Sequence, residues 1–229
     1  LNSSNIAIII PVFNEEPHIV QEVLDTIPIP YKVYLVDDGS VISLSGLKHP
    51  SMVSLRLEEN KGQGYALSYG IKKAVEDGND FFCTMDADGQ HLFTDLERLL
   101  EPVMKGDTDV VIGSRFKGGS DVPFFKKIML KMGTKLHYLL FGIQTSDTHN
   151  GLRAFNRNSA KLFNFSIHRM GHASEILDII VKNKLRFKEM AVSVTYSKYA
   201  KRKGQKNYQG FAILWQLVKY KLGVYKNAD

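Results

Sequence analysis

An α/β protein built on a mostly parallel sheet is the fold class this sequence predicts, and three observations predict it. Short β-rich runs alternate with helical patterns through the first half, the signature of βαβ units. Two of those runs end in paired acidic residues, Val36-Asp37-Asp38-Gly39-Ser40 and Met85-Asp86-Ala87-Asp88. Open α/β sheets place their ligands at the C-terminal ends of strands, so carboxylates there mark one working edge. The length, 229 residues, is ample for one such domain with a real core.

The elements follow in order. Ile6–Pro11 is an apolar run that reads as a buried strand, and a helix opens on Pro17 and runs to Thr26. Strands are predicted at Val33–Asp37 and Met52–Leu57, with a helix over Gly64–Asp77 after the Asn60-Lys61-Gly62-Gln63-Gly64 turn. The apolar run Phe81-Phe82-Cys83-Thr84-Met85 predicts a strand ending at Asp86. A helix over Thr94–Lys105 follows, Thr94 and Glu97 being spaced as a capping box. A strand at Asp109–Ser114 completes the regular part. Beyond Gly118 the chain changes character: a basic amphipathic stretch (Phe124–Phe141), a polar loop with a possible strand at its end, a helix near Ala173–Lys184 and a strand near Phe187–Tyr196. Residues 1–195 are therefore expected to form the sheet domain and 196–229 a basic C-terminal segment. There is no internal repeat and no low-complexity linker.

Charge is unevenly spread. The net charge is +6, yet Tyr196–Asp229 holds eight Lys/Arg against one Asp, which leaves 22 basic and 23 acidic residues elsewhere. The positive excess belongs to the tail and calls for an anionic partner, if it is more than a solvated basic end. Cys83 is the only cysteine, which excludes a disulfide framework and a cysteine-based metal site. The first residues lack the basic-then-apolar pattern of a signal peptide, and Ile6–Ile10 is too short to span a bilayer, so a cytoplasmic protein is expected.

The chemistry-bearing residues gather at predicted strand ends. Asp86 and Asp88, at i and i+2, form a clamp for a hard divalent cation, with Gln90 a third oxygen ligand. Oxygen ligands without cysteine favour Mg²⁺ or Mn²⁺ over zinc, and His91 reads as a loop histidine beside them. Asp37 and Asp38 are placed either to hydrogen-bond a ribose or base or simply to cap a turn at Gly39. Gly62 and Gly64 open a helix and permit close backbone approach to an anion, without matching a dinucleotide fingerprint or a P-loop. Arg115 can fork onto a diphosphate. Asp147 reads as a free carboxylate in a polar loop, and Glu175 opens a helix, where it serves either chemistry or the helix dipole.

Six segments in order, Pro11–Glu15, Val36–Ser40, Asn60–Gly64, Asp86–Gln90, Gly113–Arg115 and Asp147–Phe155, resemble the motifs of family-2 inverting glycosyltransferases of the GT-A fold. The likeness is closest to the dolichol- and polyprenyl-phosphate sugar synthases and covers residues 6 to 210. It implies that Pro11, Asn14, Glu15, Asp37 and Asp38 bind the base and ribose of a nucleotide sugar, UDP- or GDP-linked. It implies further that Asp86, Asp88 and Gln90 hold the metal against the diphosphate, and that Arg115 neutralises diphosphate or acceptor. Lys203 and Lys206, in Lys203-Gly204-Gln205-Lys206, would close over phosphates. Here the chain departs from the synthases, which show Arg, Gly, Ser and Lys across this segment.

The implied reaction is displacement at the anomeric carbon with a nucleoside diphosphate leaving. A hydroxyl acceptor needs a base, for which Asp147 is the first candidate and Glu175 the reserve; a polyprenyl phosphate is already ionised and needs none. Lys127, Lys131 and Lys135 repeat every four residues opposite an apolar face, which suits a helix lying on an anionic membrane or one docked with its lysines in water. The expected partners are a nucleotide sugar, a polyprenyl phosphate or lipid-linked glycan, and a peripheral membrane contact or membrane-protein partner at the cytoplasmic face. Transfer to a glycan hydroxyl, a nucleotidyltransferase and a non-catalytic nucleic-acid binder are the rival readings. No nucleic-acid motif is present.

Overall fold

The structure, a computed structural model, describes residues 5–117, 138, 142–165 and 171–195. Seven strands form one sheet: β1 (Ile6–Val12), β2 (Lys32–Asp37), β3 (Met52–Arg56), β4 (Phe81–Thr84), β5 (Val110–Ser114), β6 (Arg153–Asn156) and β7 (Phe187–Ala191). Their order is β3-β2-β1-β4-β6-β5-β7. All neighbours run parallel except β6, which is antiparallel to both β4 and β5. The helices are α1 (Pro17–Asp25), α2 (Gln63–Glu76), α3 (Phe93–Met104), the single turn α4 (Arg157–Ala160) and α5 (His172–Lys182).

The apolar run of β1 shows why the sheet is buried on both faces. Ile6, Ile8 and Ile10 point to one core, with Val20 and Leu24 of α1 and Leu96 and Leu99 of α3. Ala7 and Ile9 point to the other, with Ala66, Leu67 and Ile71 of α2 and Ile176, Leu177 and Ile180 of α5. A strand covered by helices on both sides has no polar face to alternate with, so it reads as a continuous apolar run. Gly70 lets α2 lie close: a Cβ there would come within 2.7 Å of Ile9 Cγ2 and 2.8 Å of Val36 Cγ2.

The predicted strands and helices stand, with three corrections. The helix read from Thr94 starts at Phe93 with Leu92 as its cap and no side-chain cap bond, so the Thr94/Glu97 box does not form. Glu97 instead accepts a hydrogen bond from Tyr31 Oη at 3.1 Å, while the Tyr31 ring meets Phe93 edge-on at 5.1 Å. The strand expected to run to Tyr196 ends at Ala191, and the strand predicted to Asp86 ends at Thr84, leaving Asp86 and Asp88 in the following turn. The amphipathic stretch 124–141, apart from Tyr138, and the basic segment 196–229 with Lys203 and Lys206 lie outside the described residues. Among the described residues no helix is long and apolar enough to cross a membrane.

Phe155 of the inserted strand β6 stacks on Phe82 at 5.8 Å and meets Phe163 edge-on at 4.8 Å. Phe155→Ala should cost roughly 3–5 kcal/mol, the range for an aromatic deleted from a packed core, read as a fall in the urea midpoint.

Candidate active site at the C-terminal edge of the sheet

The exits of β1, β2 and β3 are stitched together by short polar contacts. Asn14 adopts a left-handed backbone (φ 51°), which asparagine tolerates better than most residues. From there its N–H donates to Ser40 Oγ at 2.9 Å, and its Oδ1 accepts from Val41 N at 2.8 Å. Asp37 accepts from Ser40 N at 2.8 Å and pairs with Arg56 at 2.6 Å. Asp38 accepts from Lys61 N, Gly62 N and Asn60 Nδ2, each at 2.8 Å. Burial pushes the Asp38 carboxyl up despite those backbone donors. Both carboxylates are buried and turned into the loops. These contacts fix where the two carboxylates, expected to meet a ribose or base, stand at the edge. Gly39 (φ 70°) crosses so close to Glu59 that a Cβ would come within 2.5 Å of its backbone. Pro11, Asn14 and Glu15 are half-buried at this edge. Gly62 (φ 97°) caps α2 and Gly64 is buried in its first turn.

Ala87 points into the core, which leaves Asp86 and Asp88 half-buried on the outer side of the turn. Asp86 accepts from Gln63 Nε2 at 2.9 Å and lies 3.7 Å from His91 Nε2. Burial disfavours its charge, but the adjacent His91 imidazole and the positive fields of Arg153 and His172 outweigh burial and hold its carboxyl below the usual range. Asp88 goes the other way, raised by burial and then by the charge of Asp86. Two carboxylates that oppose each other's ionisation fit a hard divalent cation, which removes the repulsion. Gln90 donates through Nε2 and its backbone N–H to Asp88, so its amide serves that carboxylate. Among the described residues no group of three or more His, Cys, Asp or Glu forms a full metal cage. Mg²⁺-type sites often use one or two carboxylates and take the remaining ligands from phosphates and water.

Two strands away on the same edge, Arg115 follows β5. Its Nε donates to Asp147 Oδ2 at 2.6 Å and its backbone N–H donates to the same oxygen at 3.1 Å. Asp147 is 1% exposed, so the free carboxylate expected in this loop is corrected to a buried partner of Arg115. Glu189 of β7 braces the loop by accepting from Ser146 N at 2.7 Å and Ser146 Oγ at 3.0 Å. Arg153, at the start of β6, is buried, and burial lowers its pKa to about 10 against the pull of Asp86 and Asp147. His149, half-buried nearby, is lowered to about 4, by desolvation first and the Arg153 charge second. Glu175 is buried in the first turn of α5.

The chain then returns to the clamp. Ser193 N donates to Asp95 Oδ2 at 2.6 Å, Val194 bridges His91, and Thr195 N donates to Gln90 O at 3.0 Å. Sequence reasoning did not single out Gln63, Arg153 or Glu189 as individual site residues. Gln63 and Arg153 sit inside quoted segments, whereas Glu189 carries no local signal.

The mostly parallel sheet, with an acidic turn after its fourth strand and an arginine after its fifth, has the GT-A fold of solved glycosyltransferases. The family model for glycosyl transferase family 2 matches residues 7–163, and the chain belongs to that family. It is 31% identical, over 95% of its length and 96% of the relative's, to a UDP-N-acetylglucosamine–dolichyl-phosphate N-acetylglucosaminyltransferase of Methanococcus voltae. It is 32% identical, over 66% of its length and 61% of the relative's, to the polyprenol monophosphomannose synthase of Mycolicibacterium smegmatis. In fold it resembles glucosyl-3-phosphoglycerate synthase of Mycobacterium tuberculosis, solved with Mn²⁺ and UDP. That match has a TM-score of 0.64 at 18% identity and covers 93% of this chain and 79% of the other. Membership of this family sets aside the nucleotidyltransferase and nucleic-acid-binder readings.

Asp38→Ala would strip three donors of their acceptor. It should lower stability by roughly 2–3 kcal/mol, and hydrogen exchange should show the Lys61 and Gly62 amides losing protection.

Proposed function

We propose that this chain moves a sugar from a nucleoside diphosphate sugar to a polyprenyl phosphate, with inversion and with a divalent metal, as a peripheral protein at the cytoplasmic face of a membrane. One observation carries the choice of acceptor. The first candidate for a catalytic base, Asp147, is buried against Arg115, as suits an acceptor that arrives ionised. The Methanococcus voltae relative, named for a dolichyl-phosphate acceptor and a UDP-sugar donor, supports the same reading and makes a UDP-sugar the first donor to test.

In this reading the base and ribose lie against Pro11, Asn14, Glu15, Asp37 and Asp38, the last two already fixed by Arg56 and the Lys61 and Gly62 amides. Gly62 and Gly64 bring the α2 N-terminus close to the phosphates. Asp86, Asp88 and Gln90 would hold the metal, Gln90 through its Oε1 while its Nε2 donates to Asp88. Charge neutralisation on the departing diphosphate is the chemistry that Mg²⁺ or Mn²⁺ supplies when bound there. An acceptor phosphate oxygen attacks the anomeric carbon, and the bond to the diphosphate oxygen breaks with its electron pair leaving on that oxygen. No proton has to be removed. Arg115, fixed by Asp147, stands on the same edge to hold an incoming phosphate. Lys203 and Lys206, in the basic segment 196–229, supply further cations over the phosphates. Glu175 is the remaining carboxylate for an acceptor that needs a base.

The test is product formation from radiolabelled UDP- and GDP-sugars with Mn²⁺ and undecaprenyl phosphate in detergent. A chloroform-soluble labelled product supports the reading and names the donor. Donor hydrolysis without lipid product moves the acceptor to a glycan hydroxyl, and transfer by Glu175→Gln then reads whether that carboxylate is the base. Asp88→Ala should reduce transfer by at least about a hundredfold, within the range for losing a group that acts on developing charge. Its thermal midpoint should stay close to the parent's, because the substitution also removes a like-charge repulsion. An active Asp88→Ala enzyme would overturn the metal assignment.

A further inference from the structure

The loop before β6 touches the acidic clamp at one point. Gly151 sits directly under the Asp86 carboxylate: a Cβ built there would come within 2.7 Å of Oδ1 and closer still to Cγ and Oδ2. The three atoms nearest to it all belong to the end of the Asp86 side chain. The Gly151 backbone does not adopt a left-handed conformation, so the first obstacle to alanine there is the carboxylate above it rather than backbone strain. The position is pinned from below as well, since Thr84 Oγ1 donates to Gly151 O at 2.7 Å. Thr84 is the last residue of β4, two before Asp86.

We infer that Gly151 is a positioning residue for the donor side of the site: its missing side chain is the seat that fixes where Asp86 presents its oxygens to a divalent cation. The inference rests on the metal reading given above. Gln63 holds Asp86 Oδ1 from α2 and His91 faces Oδ2 from the following loop, so the seat at Gly151 is the third side of the same socket. A methyl group placed there has an easy escape, because the carboxylate can swing while the strands stay put. The damage should therefore fall on metal binding and leave folding intact. Gly151 also belongs to the loop that carries Asp147, the partner of Arg115. The geometry of the metal-binding carboxylate is thus set by the segment that fixes the arginine.

The experiment measures Mn²⁺ binding by the full chain in the presence of UDP, from the electron paramagnetic resonance signal of free Mn²⁺, for the parent, Gly151→Ala and Gly46→Ala. Gly46 has nothing within 4 Å of a built Cβ and serves as the control. Gly151→Ala should bind Mn²⁺ about tenfold or more weakly, the loss typical when a metal ligand's support is removed. Its thermal midpoint should match that of Gly46→Ala, and raising Mn²⁺ should restore the transfer rate, which misfolding would not allow. If Gly151→Ala binds Mn²⁺ as the parent does, the inference is wrong and the metal reading survives. A parent that binds no Mn²⁺ with UDP or GDP overturns both. Should Gly151→Ala fail to fold, Thr84→Val frees the same carbonyl without adding a Cβ at 151. A weaker Mn²⁺ affinity there supports the seat, and an unchanged one overturns it.

Discussion

Two carboxylates held close together in a half-buried turn are the constraint around which the rest of this molecule is organised. Asp86 and Asp88 repel each other, and water that would screen them is partly excluded. Such a pair persists only if other groups take up the strain. Gln63 comes from α2, His91 from the adjoining loop, Arg153 from β6 and His172 from α5. These four residues come from four separate stretches of chain, so the clamp is assembled by the tertiary fold.

The inserted strand β6 makes that assembly possible. An all-parallel order would bring only strand C-termini to the working edge. Because β6 runs antiparallel between β4 and β5, its N-terminus arrives there instead, delivering Gly151 and Arg153 between the acidic turn and Arg115. The buried Asp147–Arg115 pair belongs to the same arrangement. A lone buried guanidinium would be costly, and a carboxylate against its Nε holds it charged and in one orientation.

The α/β class and the working edge were legible because they depend on local pattern: apolar runs for strands buried on both faces, and acidic or glycine-bearing turns where those runs stop. The resemblance to the glycosyltransferase family was legible for the same reason, its motifs being strand ends in a fixed order. What was not legible depends on contacts across the fold. Glu189, on β7, braces a loop more than forty positions away in the chain, and no neighbour in sequence announces it. Asp147 looked free because a polar loop gives no sign of an arginine waiting beneath it. The capping box does not form: Glu97 accepts from Tyr31, and the helix begins at Phe93 with Leu92 as its cap and no side-chain cap bond.

The return of the chain at Ser193–Thr195 has a consequence for the basic segment that follows. Thr195 is tied to Gln90 and Val194 to His91, so the segment is rooted beside the clamp whatever path it takes afterwards. Lys203 lies eight positions further on, a reach of at most about 29 Å if fully extended. The covalent link alone keeps Lys203 within that distance of Thr195, so diluting the protein cannot separate the two.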